Sequence, residues 1–182
     1  MKSEIEIEYK QLLTKEQYKT IKEFILIKKF KRLNHENYYF DSKTTPLKNQ
    51  GQALRIRRGL DYYELCLKSQ REYDIVEQNI LLTETEFVNI CNDNSLMLKY
   101  FKDLPKDIEL LGSLKTKRIE YQLEDGLICL DESAYHNIVD YEIEFEANDY
   151  DKETVLIDFL KEFSIEYCPN LKSKIQRFVE TA

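Results

Sequence analysis

The stretch that decides the fold is VDYEIEFEAND, residues 139–149. Asp140, Glu142, Glu144 and Glu146 take every second position, and Tyr141, Ile143 and Phe145 fill the places between. Side chains of a strand point alternately to opposite faces, so the pattern predicts a strand with one acidic and one apolar face. The amino terminus is built the same way: EIEIEYKQL (4–12) sets Glu4, Glu6, Glu8 and Lys10 against Ile5, Ile7 and Tyr9. In ALRIRRG (53–59) Arg55 and Arg57 alternate with Leu54 and Ile56. After a turn from Gly59 to Tyr62, YYELCLKS (62–69) sets Glu64, Cys66 and Lys68 against Leu65 and Leu67. SLKTKRIEYQL (113–123) does likewise with Thr116, Arg118 and Glu120.

Working outward, HENYYFDS (35–42), EYDIVEQNIL (72–81) and GLICLDES (126–133) read as further strands, the last entered through an Asp-Gly turn signal at Asp125–Gly126. Helices are predicted where the period lengthens. Thr14 stands as N-cap before Tyr18, Ile21 and Ile25, and Thr83 stands as N-cap with Glu86 at capping-box spacing. KETVLIDFLKEF (152–163) is amphipathic, and PNLKSKIQRFVE (169–180) reads as a short basic helix after Pro169. About eight strands with a few helices predict an α+β fold on an antiparallel sheet. Closing that sheet into an eight-stranded barrel would remove its edges, with a polar, charged interior and the helices packed outside.

A chain of 182 residues with 42% hydrophobic residues supports one substantial core, so a single domain over 1–182 is expected. The formal net charge of −7 argues against an extended nucleic-acid partner held by a broad basic surface. Cys66, Cys91, Cys129 and Cys168 show neither zinc spacing nor a redox motif. No apolar stretch resembles a signal peptide or a membrane span, so a cytoplasmic location without membrane contact is expected, with the oligomeric state open. None of the four glycines lies in a phosphate-cradling loop, so any anion site must be made of side chains.

An antiparallel sheet with one solvated face would show alternating charge without further purpose. What sets this chain apart is sorting by sign. Glu4, Glu6 and Glu8 form one acidic ladder and Glu142, Glu144 and Glu146 another, and adjacent like charges are destabilising unless a cation offsets them. Lys10, Arg55, Arg57, Lys68 and Arg118 come from several strands, as they would if converging on one polyanion. Carboxylates of this kind suit Mg²⁺ or Mn²⁺, and cations on the remaining wall would neutralise phosphate oxygens. Phosphoryl transfer needs mainly positioning and charge stabilisation, so hydrolysis is the simplest expected reaction.

EIEYK (6–10) resembles the ExExK signature of the CYTH, or triphosphate tunnel metalloenzyme, superfamily. NYYFDS (37–42), ALRIR (53–57), ELCLK (64–68), the TKR within LKTKRIEY (114–121), DYEIEFE (140–146) and SKIQR (173–177) are similar to its later blocks in the same order. The likeness spans nearly the whole chain and is strongest to small single-domain triphosphatase-like proteins of Gram-positive bacteria. It implies an eight-stranded tunnel with Glu6, Glu8 and Glu144, and Glu142 beside it, on the metal. Glu77 and Glu120 are then further acids, for a second metal or to orient water. Lys10, Arg55, Arg57, Lys68, Arg118, Lys174 and Arg177 would contact a small-molecule triphosphate, with Glu6, Glu8, Lys10 and Glu120 carrying catalysis. Inorganic tripolyphosphate and nucleoside or thiamine triphosphates are all open as substrates. A class IV adenylyl cyclase making cyclic AMP from ATP, and a non-catalytic polyphosphate- or triphosphate-binding module, are the alternatives. Cys66 stands where the family pattern has a small hydroxyl residue, and Glu4 adds an acid to the first ladder.

Arg58 and Lys117 are out of phase with their charged neighbours and are assigned to the outer face. His35 and His136 are read as surface residues of polar loops. For Tyr39 and Asp41 a place in the site and a plain sheet position are equally open, as are a site acid and a loop-edge role for Asp131.

Overall fold

The computed structural model describes residues 2–181. Eight strands are joined in a closed antiparallel barrel, in the order β1-β5-β4-β3-β2-β6-β7-β8. They are β1 (Lys2–Leu13), β2 (Phe30–Asp41), β3 (Gln52–Arg58), β4 (Tyr63–Gln70), β5 (Ile75–Leu82), β6 (Glu109–Leu123), β7 (Gly126–Tyr135) and β8 (Ile138–Ala147). The helices are α1 (Lys15–Leu26), the single turn α2 (Pro46–Asn49), α3 (Glu84–Asn92), α4 (Glu153–Lys161) and α5 (Lys174–Glu180), with a 3-10 turn at Asn94–Lys99. No helix among the described residues is long and apolar enough to cross a membrane.

Residue contacts sort the chain into two compact units. One comprises residues 2–5, His35–Leu114 and 175–181; the other comprises Glu6–Asn34 and Lys115–Lys174. In the first unit β2, β3, β4 and β5 form consecutive antiparallel pairs, with Arg57 opposite both Asn37 and Glu64, and Lys68 opposite Glu77. Phe40, Leu54, Ile56, Leu65, Leu67 and Leu82 turn their shared face onto Ile90 of α3, Met97, Phe101, Leu104 and Ile108. Thr83 caps α3 by accepting from the Glu86 backbone N–H, while the Glu86 carboxylate takes the Thr83 N–H, a complete capping box. In α5, Phe178 lies 5.9 Å from the Tyr39 ring, and its ring tip approaches Gly112 so closely that a Cβ there would come within 2.7 Å. That contact requires glycine.

In the second unit β1 pairs with β8, and β8 with β7, which pairs with β6. Tyr18, Ile21 and Ile25 of α1 and Leu156, Phe159 and Leu160 of α4 pack on Ile119, Ile128, Leu130, Ile143 and Phe145. Each buried aliphatic side chain contributes roughly 1.5–3 kcal/mol over its exposed state. A slip of one residue would exchange the two faces of a strand, so this packing fixes which residues can point away from the helices. Those residues are the charged ones.

Two expectations change. β2 begins at Phe30 rather than His35, so Lys31 and Arg32 lie within the strand. His35 is accordingly no surface-loop residue: it is 7% exposed and alternates with Glu36, on the face shared by Asn37 and Tyr39. Asp41 turns out to serve the backbone, its carboxylate accepting from the N–H groups of Ser42, Leu47 and Lys48 and so closing the first turn of α2.

Candidate functional site

Each unit carries one polar strand face, and the two faces differ in chemistry. In the first unit Arg55 and Arg57 of β3, Lys68 of β4 and Glu77 and Asn79 of β5 alternate with the apolar residues packed under α3. Lys68 Nζ lies 2.7 Å from Glu77 Oε1, and Arg55 Nη2 lies 3.6 Å from the same oxygen. Asn79 Nδ2 donates to the other oxygen of Glu77 at 3.1 Å. Burial pushes the Glu77 carboxyl up, but Lys68 and Arg55 outweigh it and hold the group well below the usual carboxylate range. Arg57 Nε donates to Asn37 Oδ1 at 3.2 Å, which fixes the guanidinium on this face. Arg177 of α5 is 8% exposed in the same unit, and Cys66, opposite Arg55 in the ladder, is a buried thiol. Glu77, expected among metal-binding acids, is thus the counter-ion of two cations, because the β4–β5 register sets it opposite Lys68.

The polar face of the second unit gathers Glu6, Glu8 and Lys10 of β1, Arg118 of β6, Asp131 of β7, and Glu142, Glu144 and Glu146 of β8. Two cross-strand pairs are acid against acid, Glu8 with Glu146 and Asp131 with Glu142, while Lys10 stands opposite Glu144. Lys10 bonds to Glu8. Arg118 reaches Asp131 with both Nε and Nη2 at 2.8 Å, Glu146 with Nη1 at 3.0 Å, and Glu144 with Nη2. Lys174 Nζ lies 2.5 Å from Glu144 Oε1, 2.6 Å from Glu142 Oε2 and 3.0 Å from Asp131 Oδ2. Asn170 donates to Glu142 Oε1 at 3.0 Å.

Asp131 and Glu142 are almost wholly buried, at 0% and 1% exposed. For Glu144, burial raises the carboxyl's affinity for a proton, yet Lys174, Arg118 and Lys10 reverse this and hold it far below its ordinary value. For Lys174 and Arg118, burial pulls the other way and is likewise overcome by the surrounding carboxylates, so both stay charged. Among the described residues, carboxylates nonetheless outnumber cations on this face. That surplus of negative charge, carried entirely by oxygen ligands, fits a hard divalent cation such as Mg²⁺ or Mn²⁺. Among the described residues no three acids, cysteines or histidines are yet drawn together to hold one.

Several sequence expectations are therefore redistributed. Glu6, Glu8, Lys10, Glu142 and Glu144 lie on the acidic face as predicted from alternation, and Arg118 and Lys174, expected among the phosphate contacts, lie there too. Glu120 shares the strand face of Arg118, but its carboxylate lies 3.7 Å from Lys31, a side chain that is 68% exposed. Asp131 lies within β7 on the acidic face, paired with Arg118, rather than at a loop edge. Arg58 and Lys117 are exposed, the latter 2.8 Å from Glu132. Residues missed by sequence reasoning are Asn37, Asn79, Cys129 and Asn170; Cys129 donates to Glu146 at 3.4 Å. Period-two alternation in VEQN and in CLD would have found Asn79 and Cys129, whereas nothing in the loop around Asn170 points to Glu142.

The CYTH domain family model matches residues 4–179. The chain is 37% identical over 99% of its length to a Bacillus subtilis (strain 168) protein named "Putative triphosphatase YjbK", covering 97% of that protein. A solved structure of a "putative adenylate cyclase" from Bacillus halodurans is 34% identical, with a TM-score of 0.84 over 98% of this chain and 99% of that one. The fold is shared as well with a "putative adenylyl cyclase" from Hippeastrum described as having a dominant triphosphatase activity, at 23% identity and a TM-score of 0.79, over 97% and 95% of the two chains.

Proposed function

Since the chain belongs to the CYTH domain family, we propose that it hydrolyses a linear triphosphate with the help of Mg²⁺ or Mn²⁺, each unit's polar strand face forming its share of the barrel lining. The observation that carries this reading is the segregation of charge. Arg55, Arg57, Lys68 and Arg177 gather in one unit, and a surplus of carboxylates gathers in the other.

The guanidinium of Arg57, oriented by Asn37, and the ammonium of Lys68, steadied by Glu77, are placed to neutralise phosphate oxygens. Glu77 holds Lys68 and Arg55 in position when no anion is bound. Glu6, Glu8, Glu142 and Glu144 would hold the metal, which would polarise a phosphoryl oxygen and acidify a bound water there. Arg118 and Asp131 position these carboxylates, and Lys10, paired with Glu8 and opposite Glu144, offsets their negative charge. Attack of water on a terminal phosphoryl group breaks one anhydride bond and yields orthophosphate and the shortened chain. No described side chain on either face is singled out to read a base or a sugar, which favours the phosphate chain itself as the recognised element.

The test is phosphate release from tripolyphosphate and ATP with Mg²⁺ or Mn²⁺, with products separated by chromatography. Orthophosphate is expected. Cyclic AMP with diphosphate from ATP would replace this reading by a cyclase, and tight calorimetric binding without turnover in either metal would replace it by a binding module.

A further inference from the structure

Lys174 occupies its surroundings as a cation in a coordination shell. Its three N–H bonds meet three carboxylates, Asp131, Glu142 and Glu144, which is the full donor capacity of an ammonium group. The side chain is only 11% exposed. All six oxygens of these carboxylates already accept from the protein. Asp131 Oδ1 takes Arg118, and Oδ2 takes Arg118 and Lys174; Glu142 takes Asn170 on Oε1 and Lys174 on Oε2; Glu144 takes Lys174 on Oε1 and Arg118 on Oε2.

A divalent cation bonds such oxygens at about 2.0–2.1 Å. It would therefore share ligands with Lys174 Nζ and stand within about 5 Å of it, where like charges in a buried setting repel strongly. One donor must withdraw. Arg118 is forked on Asp131 through two nitrogens and reaches Glu144 and Glu146 besides, from the middle of a fifteen-residue strand. Asn170 is neutral, and its amide oxygen also holds the Lys172 N–H. Lys174 alone combines a full charge with a flexible four-carbon stem, at the first residue of a seven-residue helix.

Resting on the metal-dependent reading above, we infer that Lys174 is the resident counter-ion of the metal site. Its ammonium and the divalent cation occupy the carboxylates in turn, so that metal entry releases Lys174 from Glu142 and Glu144. The released ammonium is then available to a phosphate oxygen, so the same lysine serves the carboxylates before loading and the anion after it.

The test uses Mn²⁺ alone, without substrate. Calorimetry is expected to show Mn²⁺ binding about 10-fold or more tighter in Lys174→Met than in the native chain, because a competing charge is gone. In the native protein, acetylation of lysines read by mass spectrometry should show Lys174 becoming several-fold more reactive on Mn²⁺ addition, with exposed Lys161 unchanged. This second arm stands even where the variant does not fold. Mn²⁺ binding to the native chain with Lys174 reactivity unaltered overturns the inference and leaves the metal-dependent reading intact. Absence of Mn²⁺ binding in native chain and variant alike overturns both.

Discussion

Glu8 and Glu146 stand directly opposite each other on the β1–β8 ladder, carboxylate facing carboxylate. Like charges in that position cost on the order of 0.2–1 kcal/mol relative to a neutral pair. Lys10 offsets one of them and Arg118 the other, but the same two cations also serve Glu144 and Asp131. Glu146→Gln is expected to leave the melting temperature of the metal-free protein within about 3 °C of the native value or above it, since relief of repulsion compensates for the lost Arg118 contact. It should also reduce the rise in melting temperature produced by Mg²⁺. Thermal melts with and without the metal check both, and an undiminished metal-induced rise would show that Glu146 takes no part in balancing the cation's charge.

Asp131 is the member of the acidic face most deeply committed to the apo structure. It is 0% exposed and receives two bonds from Arg118 and one from Lys174. Removing one partner of a buried ion pair strands the others, a loss of about 3–5 kcal/mol. Asp131→Ala should therefore destabilise by roughly that amount in denaturant titrations, whereas Asp131→Asn, which retains an acceptor, should lose less. Equal losses would place the effect in the lost charge, which both variants share, rather than in the side-chain volume or the retained acceptor.

Glu77 makes a prediction about pH. Burial raises its affinity for a proton, but Lys68 and Arg55 overcome this and depress its folded-state pKa well below the unfolded value of about 4.3. A depressed acid contributes stability that is fully present above the unfolded pKa and is lost as pH falls through the window between the two values. Stability measured by denaturant titration from pH 6 downward should fall below about pH 4.3, and Glu77→Gln should flatten part of that fall while lowering the value at neutral pH. An unchanged pH profile in the variant would mean that Glu77 is no more ionised in the folded chain than in the unfolded one.

These relationships show where sequence reading carries and where it stops. The alternation in 139–149 and in 53–69 contained the strand faces, and the capping residues Thr14 and Thr83 marked helix starts that the structure retains. Alternation assigns a face from neighbours two residues apart, so it also placed the acids of β1 and β8 on one side of each strand. It cannot supply register between distant segments. That Glu8 meets Glu146, and that Lys174 reaches Glu144 thirty residues away, follow from pairing the first strand with the last and from the path of the loop through Asn170. The same limit explains Glu77 and Arg118, whose partners within the chain are chosen by ladder register: the cations Lys68 and Arg55 for Glu77, and carboxylates led by Asp131 for Arg118. His35 was misplaced for a simpler reason: the basic run before it hid the start of β2.

Arg57 and Arg58 offer a direct test of phase, since one strand and one residue type are held constant. Arg57 lies on the polar face with its Nε on Asn37, opposite Glu64 in the ladder. Arg58 is exposed on the other face, beside Tyr38 and Tyr63. A charge-assisted bond to phosphate contributes on the order of 1.5–3 kcal/mol, or about 10- to 150-fold in an equilibrium constant. Arg57→Ala should thus raise KM for tripolyphosphate, or weaken its calorimetric binding, by about that factor, while Arg58→Ala leaves both within about twofold. Since both variants remove one positive charge, a difference between them cannot come from net charge or long-range attraction, and only the direction of the side chain separates them. Equal weakening would place the anion outside the polar strand face and would remove the cationic row from the proposed mechanism.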